Sequence, residues 1–283
     1  MNLRYSVSLI FGRDEARRTR RKLHLLTKIC LTNDDGAHST GLRKLAELLS
    51  LEMEVVIVVP EGERSASGKA LTFNRPIRMK KHKNDFGLHM IAHDGSPADS
   101  VILAHHLFND IDLFVSGINT GANVTYQSML TSGTVGAAIE AAIMGYPAIA
   151  VSQVVSPEEW FNNSDRERDF TAICEITRDI IRKIVKKGFP AGIDALNLNF
   201  PSALADKSEM IVTRPARMRI RNEVEKRVDP NQSPYYWVKG VEEKPQTGTD
   251  VDEVLYKGNI SLSPIVIEGL TDEDLEIVRN LIS

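Results

Sequence analysis

The sequence predicts an α/β protein in which a mostly parallel, doubly wound sheet carries appended C-terminal strands, a hairpin and a terminal helix. Short apolar runs rich in β-forming residues, such as Glu54–Pro60 (EVVIVVP), recur along the chain. Segments whose apolar residues follow helical spacing lie between these runs. Alternation of this kind is typical of βαβ units and of a parallel sheet.

Five apolar runs predict buried strands, and three segments predict helices that cover them. Leu42, Leu45, Leu48 and Leu49 share one face of the first helix. Ser39 or Thr40 is its predicted N-cap. The predicted strands are Lys28–Asn33, Glu54–Pro60, Ile111–Ser116, Pro147–Val151 and Asp194–Phe200. The predicted helices are Gly41–Leu51, an alanine-rich helix from about Ser132, and Arg166–Lys187.

Changes in composition divide the chain into three parts. Residues 1–27 form a basic N-terminal extension, which we interpret as a solvated or partly helical segment or as the product of a start codon placed too early. A basic arm that contacts a partner is the alternative. Residues 28–201 form the predicted core. Residues 202–283 supply strands, a hairpin and a closing helix after Thr271, which we interpret as elements for assembly.

The bulk composition excludes several classes of protein. A formal net charge of −3 gives no general attraction to nucleic acid polymers or to anionic membranes, so small molecules are the expected partners. The two cysteines make no disulfide framework. No apolar stretch approaches the roughly 20 residues needed to cross a bilayer, and the N-terminal residues lack the pattern of a signal peptide. We therefore expect a cytoplasmic setting.

Oxygen-bearing side chains follow three of the predicted strands. Asp34 and Asp35 come directly after the first strand, Ser65 follows the second, and Asn119 ends the Ile111 strand. In open parallel sheets, ligands bind beyond the carboxyl ends of the strands, where these residues would meet. Carboxylate, hydroxyl and amide oxygens are donors that Mg²⁺, Mn²⁺ or Ca²⁺ prefers over zinc.

The sequence Asn33-Asp34-Asp35-Gly36 admits two interpretations. Taken alone, it is typical of an ordinary turn. Two adjacent carboxylates without a basic neighbour would repel each other if buried, and a divalent cation relieves that repulsion. The position of the turn at a strand end, beside two other sets of oxygen donors, favours the metal site.

A second candidate site lies where the alanine-rich helix begins. The segment Thr131–Ala138 (TSGTVGAA) combines small residues with a helix N-terminus, which binds anions through unpaired N–H groups and the helix dipole. A serine before a helix is also an ordinary N-cap. An anion site beside a divalent cation indicates a phosphate substrate, because the cation polarises a phosphoryl oxygen and lowers the pKa of bound water.

Other conspicuous residues favour structural roles. His105 and His106 are adjacent, so on a helix they point in different directions, and a surface or capping role is favoured over metal ligation. The aromatic segment Tyr235–Trp237 is more typical of packing or an interface than of base stacking. The glycine motifs of dinucleotide oxidoreductases and of P-loop kinases are both absent after the first strand.

The chain resembles the stationary-phase survival protein SurE family. The resemblance covers Lys28 to the C-terminal region and rests on several motifs in the family's order. These are LTNDDG (Leu31–Gly36), ERSASG (Glu63–Gly68), GSPADS (Gly95–Ser100), VSGINTGAN (Val115–Asn123), TSGTVGAA (Thr131–Ala138), LNLNFP (Leu196–Pro201), PYYW (Pro234–Trp237) and TDVDEV (Thr249–Val254).

The resemblance implies a Rossmann-like core and a metal-dependent nucleotidase that acts on nucleoside 5′- and 3′-monophosphates. It implies one divalent ion, Mg²⁺ or Mn²⁺, and homodimers or homotetramers that exchange C-terminal elements. Carried onto matching positions, the metal ligands are Asp34, Asp35, Ser65 and Asn119, and the phosphate contacts are Asn123, Ser132, Gly133 and Thr134. The chain departs from the family's usual residues at Lys69-Ala70 and at Asn231-Gln232.

The mechanism that follows is an in-line attack on phosphorus by a water molecule, with Asp34 and Asp35 as the catalytic pair. Direct attack by one of these aspartates, which would form an aspartyl phosphate, is the alternative. Two other functions stay open: an exopolyphosphatase, and a non-catalytic module that binds nucleotides for regulation.

Overall fold

The computed structural model describes residues 27–83, 88–108, 110–155, 168–217, 220–242 and 245–282. The predicted N-terminal extension lies outside these residues, apart from Thr27. The strands are β1 (Lys28–Thr32), β2 (Glu54–Pro60), β3 (Met79–Lys83), β4 (His89–His93), β5 (Leu113–Thr120), β6 (Ala148–Gln153), β7 (Ala195–Phe200), β8 (Met210–Val212), β9 (Ile220–Val228), β10 (Pro234–Glu242) and β11 (Ile260–Ile265). The helices are α1 (Thr40–Ser50), α2 (Pro97–Leu107), α3 (Thr125–Thr131), α4 (Gly133–Ile143), α5 (Thr171–Lys187) and α6 (Asp272–Ile282), with a π-helical turn at Asp252–Tyr256.

Nine strands form one sheet in the order β3-β4-β2-β1-β5-β6-β7-β11-β8. The pairs from β4 through β7 are all parallel, whereas β3 and β11 pair antiparallel with β4 and β7. The predicted mostly parallel α/β fold is therefore confirmed. The chain builds outward from β1 in one direction through β2 and β4, and in the other through β5, β6 and β7. This reversal puts the topological switch point, where ligands bind in such sheets, at the ends of β1 and β5.

Helices cover both faces of the sheet, which is why β1, β6 and β7 consist entirely of buried residues. On one face, Ile29 and Leu31 of β1 pack in a core with the apolar residues of α1 and α5. On the other face, Cys30 packs in a core with residues of α2 and α4. Successive strand residues point to opposite faces, so one apolar run supplies both cores. None of the helices in the described ranges is long and apolar enough to cross a membrane.

Observed boundaries differ from the predicted ones by a few residues. Helix α1 begins at Thr40, and Ser39 is its N-cap, with its hydroxyl accepting from the N–H of Leu42 at 3.3 Å. The predicted strand Ile111–Ser116 instead runs over β5, because a bulge after Ser116 lets the strand resume pairing with β6. The structure shows the predicted helix Arg166–Lys187 from Thr171 onward, and its first two predicted residues lie outside the described part of the chain.

The C-terminal segment contributes to two sheets. Strand β11 extends the main sheet by pairing with β7, and β8 pairs with β11. Strands β9 and β10 pair with each other as a separate antiparallel hairpin. The boundary predicted near Pro201 stays a prediction, since part of the segment after it belongs to the main sheet.

A buried histidine ties the end of β4 to α2. His93 is 1% exposed, its Nδ1 accepts from the N–H of Gly95 at 3.0 Å, and its Nε2 lies 2.7 Å from the hydroxyl of Ser100. Helix α2 begins with a capping box formed by Ser96 and Asp99. Because Nδ1 must accept a hydrogen bond, the arrangement requires a neutral ring. Burial lowers the pKa of His93 to about 4.

This histidine predicts how stability depends on pH. The pKa is lower in the folded protein than the ordinary 6.5, so the unfolded chain binds more protons between pH 6.5 and pH 4. Stability from this group is therefore complete above pH 6.5 and is lost as the pH falls through that window. We expect the free energy of unfolding in urea to drop by about 2–3 kcal/mol from this group between pH 7 and pH 4.

A matched pair of variants isolates this contribution. In His93→Gln the drop should shrink by the stated amount, whereas His89→Gln, at an exposed position on the same strand, should keep the wild-type slope. Equal slopes in all three proteins would contradict the assignment.

Candidate active site

The turn after β1 fixes the two aspartates at the switch point. The side-chain amide of Asn33 donates to the carbonyl of Gly36 at 3.0 Å, and its carbonyl oxygen accepts from the N–H of Gly36 at 3.1 Å. Gly36 has a φ of +92°, and a Cβ there would lie 2.9 Å from Cα of Gly62. The segment is therefore an ordered turn. The turn and the metal site are compatible interpretations, since the turn presents the carboxylates that a cation would need.

Asp34 is a buried carboxylate, 4% exposed. One oxygen accepts from the hydroxyl of Thr134, and the other accepts from the N–H of Thr134 at 3.2 Å. Burial raises the pKa of Asp34, and the nearby charge of Glu63 raises it further, against the lowering effect of these hydrogen bonds. Within the described ranges, no lysine or arginine forms an ion pair with Asp34. A low-dielectric site with uncompensated negative charge favours a cation.

The loop after β2 lies against the aspartate turn. We call Glu63–Lys69 the serine loop. The N–H of Arg64 donates to the carbonyl of Asp34 at 2.7 Å, which puts Ser65 next to the turn. The hydroxyl of Ser65 donates to Oε1 of Glu63 at 2.7 Å. A hydroxyl that ligates a cation uses a lone pair and must donate its proton elsewhere, so this hydrogen bond leaves Ser65 suited to the predicted role.

The end of β5 approaches the second aspartate. The bulge in β5 contains Gly117, with a φ of +136°, where a Cβ would overlap the carbonyl of Val151 on β6. Beyond the bulge, the N–H of Thr120 lies 3.4 Å from Oδ2 of Asp35. The side-chain amide nitrogen of Asn119 donates to the carbonyl of Gly121 at 2.7 Å, and within the described ranges its side-chain oxygen, the atom that would ligate a cation, forms no hydrogen bond.

At the N-terminus of α4, more of the backbone N–H groups already have acceptors than would be expected in an open anion site. Ser132 is the N-cap, and its hydroxyl accepts from the N–H of Val135 at 3.1 Å. The N–H of Thr134 donates to Asp34, and that of Gly136 donates to the carbonyl of Ser132 at 2.9 Å. Among the described residues, the N–H of Gly133 has no acceptor. The phosphate contacts predicted at Ser132, Gly133 and Thr134 stay predictions, with Gly133 as the available backbone donor.

Asn123 lies in a separate buried network at the ends of β6 and β7. Its side-chain amide donates to the hydroxyl of Ser152 at 2.8 Å, and its N–H donates to the side-chain oxygen of Asn199 at 2.8 Å. Asn197 donates to its carbonyl at 2.8 Å. Within the described part of the chain, no hydrogen bond links Asn123 directly to the aspartates. Its predicted phosphate contact also stays a prediction.

The serine loop is fastened to the end of α3 by a backbone hydrogen bond and to α4 by an ion pair. The N–H of Gly68 donates to the carbonyl of Thr131 at 2.9 Å. Next to it, Nζ of Lys69 pairs with Oε2 of Glu140, whose side chain is 9% exposed. A buried carboxylate without its cation is costly, so Lys69 stabilises both α4 and the position of the loop.

A double-mutant cycle measures this pair. Lys69→Met should lower the free energy of unfolding in urea by about 1–3 kcal/mol, because it leaves the Glu140 carboxylate buried without a partner. The double variant Lys69→Met/Glu140→Gln should recover part of this loss, since no unpaired charge remains. If the loss of unfolding free energy in the double variant equalled the sum of the losses in Lys69→Met and Glu140→Gln, the two side chains would not interact.

Two side-chain contacts of the site are not predicted from the sequence. Glu63 accepts a hydrogen bond from the hydroxyl of Ser65, and Thr134 donates hydrogen bonds to Asp34. The acidic residue two positions before Ser65 is a signal that could have identified the first. The described residues contain no cluster of three or more His, Cys, Asp or Glu side chains able to hold a metal. The predicted metal ligands include only two residues of these types, Asp34 and Asp35. The prediction therefore does not depend on a cluster of three.

His105 has the structural role that the sequence favours, whereas the predicted packing or interface role of Tyr235–Trp237 stays a prediction. His105 lies in the last turn of α2, and its Nδ1 is 2.7 Å from the hydroxyl of Tyr146. Tyr236 and Trp237 of β10 are exposed on the hairpin.

Comparison with known proteins gives one consistent result. A family model described as "Survival protein SurE" matches residues 29–222. A curated relative from Thermofilum pendens, "5′-nucleotidase SurE", is 39% identical over 256 residues, which cover 90% of this chain and 96% of the relative. Another of the same name, from Archaeoglobus fulgidus, is 40% identical over 255 residues, covering 89% and 96%. The crystal structure of the SurE protein from Aquifex aeolicus matches with a TM-score of 0.76 at 32% identity, covering 90% of this chain and 100% of that one.

Proposed function

This chain belongs to the survival protein SurE family, and on that premise we propose that it is a 5′-nucleotidase, which hydrolyses nucleoside 5′-monophosphates to a nucleoside and inorganic phosphate. One observation carries the proposal beyond family membership. The aspartate pair at the switch point contacts three separate segments through Arg64, Thr120 and Thr134. The predicted oxygen donors therefore come from segments that adjoin one turn.

A divalent cation, Mg²⁺ or Mn²⁺, is part of the proposal. Asp34, Asp35, Ser65 and Asn119 would hold it, and the raised pKa of the buried Asp34 carboxylate supports this, because a bound cation would keep it ionised. The cation would polarise a phosphoryl oxygen and lower the pKa of a bound water. Only hard oxygen donors make up the set, which suits these ions.

The protein's own residues orient the reaction. The N–H of Gly133 is placed to donate to a phosphoryl oxygen at the positive end of the α4 dipole. A water oxygen attacks phosphorus, the ester P–O bond breaks opposite to it, and the proton passes to the departing nucleoside oxygen. Asp35 is the candidate to orient that water. Attack by Asp34 or Asp35 itself, followed by hydrolysis of an aspartyl phosphate, remains the alternative, and trapping of the intermediate would distinguish them.

Phosphate release from a substrate panel tests the proposal. The purified full chain should release phosphate from AMP or GMP with Mn²⁺ or Mg²⁺ and lose that activity in EDTA. Tight nucleotide binding without release would instead indicate a regulatory module. Faster release from polyphosphate would indicate an exopolyphosphatase. Hydrolysis of nucleoside 3′-monophosphates, which the family resemblance also implies and which we include in the proposal, is measured in the same panel.

Assembly through the C-terminal hairpin is a further part of the proposal. Strands β9 and β10 pair only with each other among the described strands, and an isolated two-stranded sheet is marginally stable in water. Val224, Tyr236, Trp237 and Val238 on it are more than half exposed. We expect a second copy of the chain to cover them in a homodimer or homotetramer, which sedimentation equilibrium can check. A cytoplasmic setting, in keeping with two free, buried cysteines, completes the proposal.

A further inference from the structure

We propose that Asp250, in the C-terminal segment of the chain, is a positioning residue for the proposed reaction. Its carboxylate holds helix α3, which lies between the two segments predicted to contact phosphate. This inference deepens the proposed function and rests on it. The family resemblance includes Asp250 in the motif Thr249–Val254 but gives it no role.

The Asp250 carboxylate is fully buried and accepts hydrogen bonds from three backbone N–H groups. Its Oδ2 accepts from the N–H of Thr125 at 2.7 Å. Its Oδ1 accepts from the N–H of Ala216 and from that of Val251, each at 2.8 Å. Within the described ranges, no lysine or arginine forms an ion pair with it. Because a buried carboxylate is costly unless it is hydrogen-bonded, the carboxylate and the segments that carry these donors hold one another in place.

One of these donors belongs to the first residue of α3. Val124, the N-cap of α3, makes no side-chain hydrogen bond to the helix. Instead, the N–H of Thr125 donates to Asp250, and the N–H of Tyr126 donates to the carbonyl of Ala216 at 2.9 Å. A carboxylate at a helix N-terminus satisfies a donor that has no partner within the helix and interacts favourably with the helix dipole. Asp250 therefore caps α3 across a separation of 125 residues.

The backbone of Thr125 needs such a support. Thr125 is buried and has a φ of 80°, which a β-branched residue rarely adopts. Conformations of this kind persist only where surrounding contacts hold them. The contacts here are the hydrogen bond to Asp250 and the packing of Val124 in one cluster with Ala216 and Val251. Loss of the carboxylate is therefore expected to change the start of α3 before it affects the central sheet.

Helix α3 joins the two segments that are predicted to contact phosphate. Asn123 lies two residues before Thr125. At the other end of the helix, the carbonyl of Thr131 accepts from the N–H of Gly68 in the serine loop, and Ser132 then caps α4. A helix of seven residues is about 10 Å long, so a shift at its first residue reaches the serine loop. Asp250 thus aligns both segments, although its own burial keeps it from touching a substrate.

The Asp250→Asn variant tests this role in the full chain. The substitution keeps the shape of the side chain but turns one accepting oxygen into a donor, which would face an N–H group. The inhibition constant of inorganic phosphate against AMP hydrolysis should rise by about 10-fold, and kcat/KM for AMP should fall by about 10- to 100-fold, because small misplacements have effects of this size. Mn²⁺ affinity, measured by calorimetry without phosphate, should stay within about 2-fold of the wild type, because Asp34, Asp35 and Asn119 lie on other elements.

Amide hydrogen exchange provides a second measurement, which needs neither substrate nor activity. In Asp250→Asn, exchange should be faster in peptides that cover α3 and the serine loop. Peptides that cover β1 and β6 should exchange as in the wild type. All comparisons are made well below the unfolding midpoint of each protein.

Asp252→Asn is the matched control, because it makes the same substitution two residues further along the same motif. The Asp252 carboxylate accepts from the N–H of Gly248 at 2.8 Å and pairs with Nζ of Lys257 at 2.7 Å, both within the C-terminal segment. Its loss should lower the melting temperature slightly. Phosphate inhibition and kcat/KM should stay within about 2-fold of the wild type, and exchange in α3 should be unchanged.

Unchanged phosphate inhibition and kcat/KM in Asp250→Asn, or equal losses in both variants, would overturn the inference. Faster exchange throughout the sheet would also overturn it, because that result would show general destabilisation. Asp250→Ser, which retains a single accepting oxygen, replaces Asp250→Asn if the latter does not fold, and failure of both to fold would overturn the inference as well. If the wild type released no phosphate from any nucleotide, the proposed function would fail. Hydrogen exchange in α3, together with binding of phosphate in the presence of Mn²⁺, would still decide the role of Asp250.

Discussion

The Asp35→Asn variant is expected to lose at least about 1,000-fold of kcat/KM for AMP. The substitution keeps the shape of the side chain but removes the charge that would hold the cation beside Asp34. It also removes the candidate group that orients the attacking water. Asp35 accepts a hydrogen bond from the N–H of Thr120 at 3.4 Å, and asparagine keeps a side-chain oxygen that can accept the same bond. The measurement is phosphate release from AMP across a range of Mn²⁺ concentrations.

Glu61→Gln is the matched control for the Asp35 variant. Glu61 is an exposed carboxylate directly after β2, at the same edge of the sheet, and its ion-pair contact is with Lys80 at 3.7 Å. Its removal should leave kcat/KM within about 2-fold of the wild type, because exposed ion pairs contribute little. Full activity in Asp35→Asn, or an equal loss in both variants, would contradict the assignment of Asp35.

The Gly136→Ala variant is expected to lose both stability and activity. A Cβ at this position in α4 would overlap the carbonyl oxygen of Gly68 and lie 2.7 Å from its carbonyl carbon and 2.9 Å from the N of Lys69. These are backbone atoms, so the serine loop must shift. Alanine otherwise favours a helix by about 1 kcal/mol over glycine. A net loss of about 1–3 kcal/mol in unfolding free energy therefore measures the clash.

Displacement of the loop should also lower kcat/KM for AMP by about 100-fold, because small misplacements of catalytic groups have effects of this size. Gly62→Ala provides the control, since a Cβ at Gly62 has no atom within 4 Å. It should keep both stability and activity. If Gly136→Ala were more stable than the wild type and fully active, the close packing of the serine loop on α4 would be wrong.

The sequence predicts the central sheet and the location of the site for a clear physical reason. Strands covered on both faces must be continuously apolar, so Glu54–Pro60 is evident without a structure. Polar residues directly after such runs must lie at one edge of a parallel sheet. Asp34, Asp35 and Asn119 could be placed together on that argument, and the contact of Thr120 with Asp35 agrees with it.

Contacts between distant segments could not be predicted in this way. Thr134 binds Asp34 across a separation of 100 residues, and no local pattern distinguishes a threonine that binds a carboxylate from one that faces a phosphate. Strand β11 joins the main sheet antiparallel to β7, although the segment after Pro201 reads as an appendage. The buried network around Asn123 depends in the same way on residues from β6 and β7.

Diffraction from crystals grown with Mn²⁺ and phosphate tests the central claim most directly. The account predicts one anomalous peak about 2.0–2.6 Å from oxygens of Asp34, Asp35, Ser65 and Asn119. It also predicts a phosphate whose oxygen accepts from the N–H of Gly133. A manganese ion bound elsewhere, with the aspartate pair in contact with water alone, would contradict it.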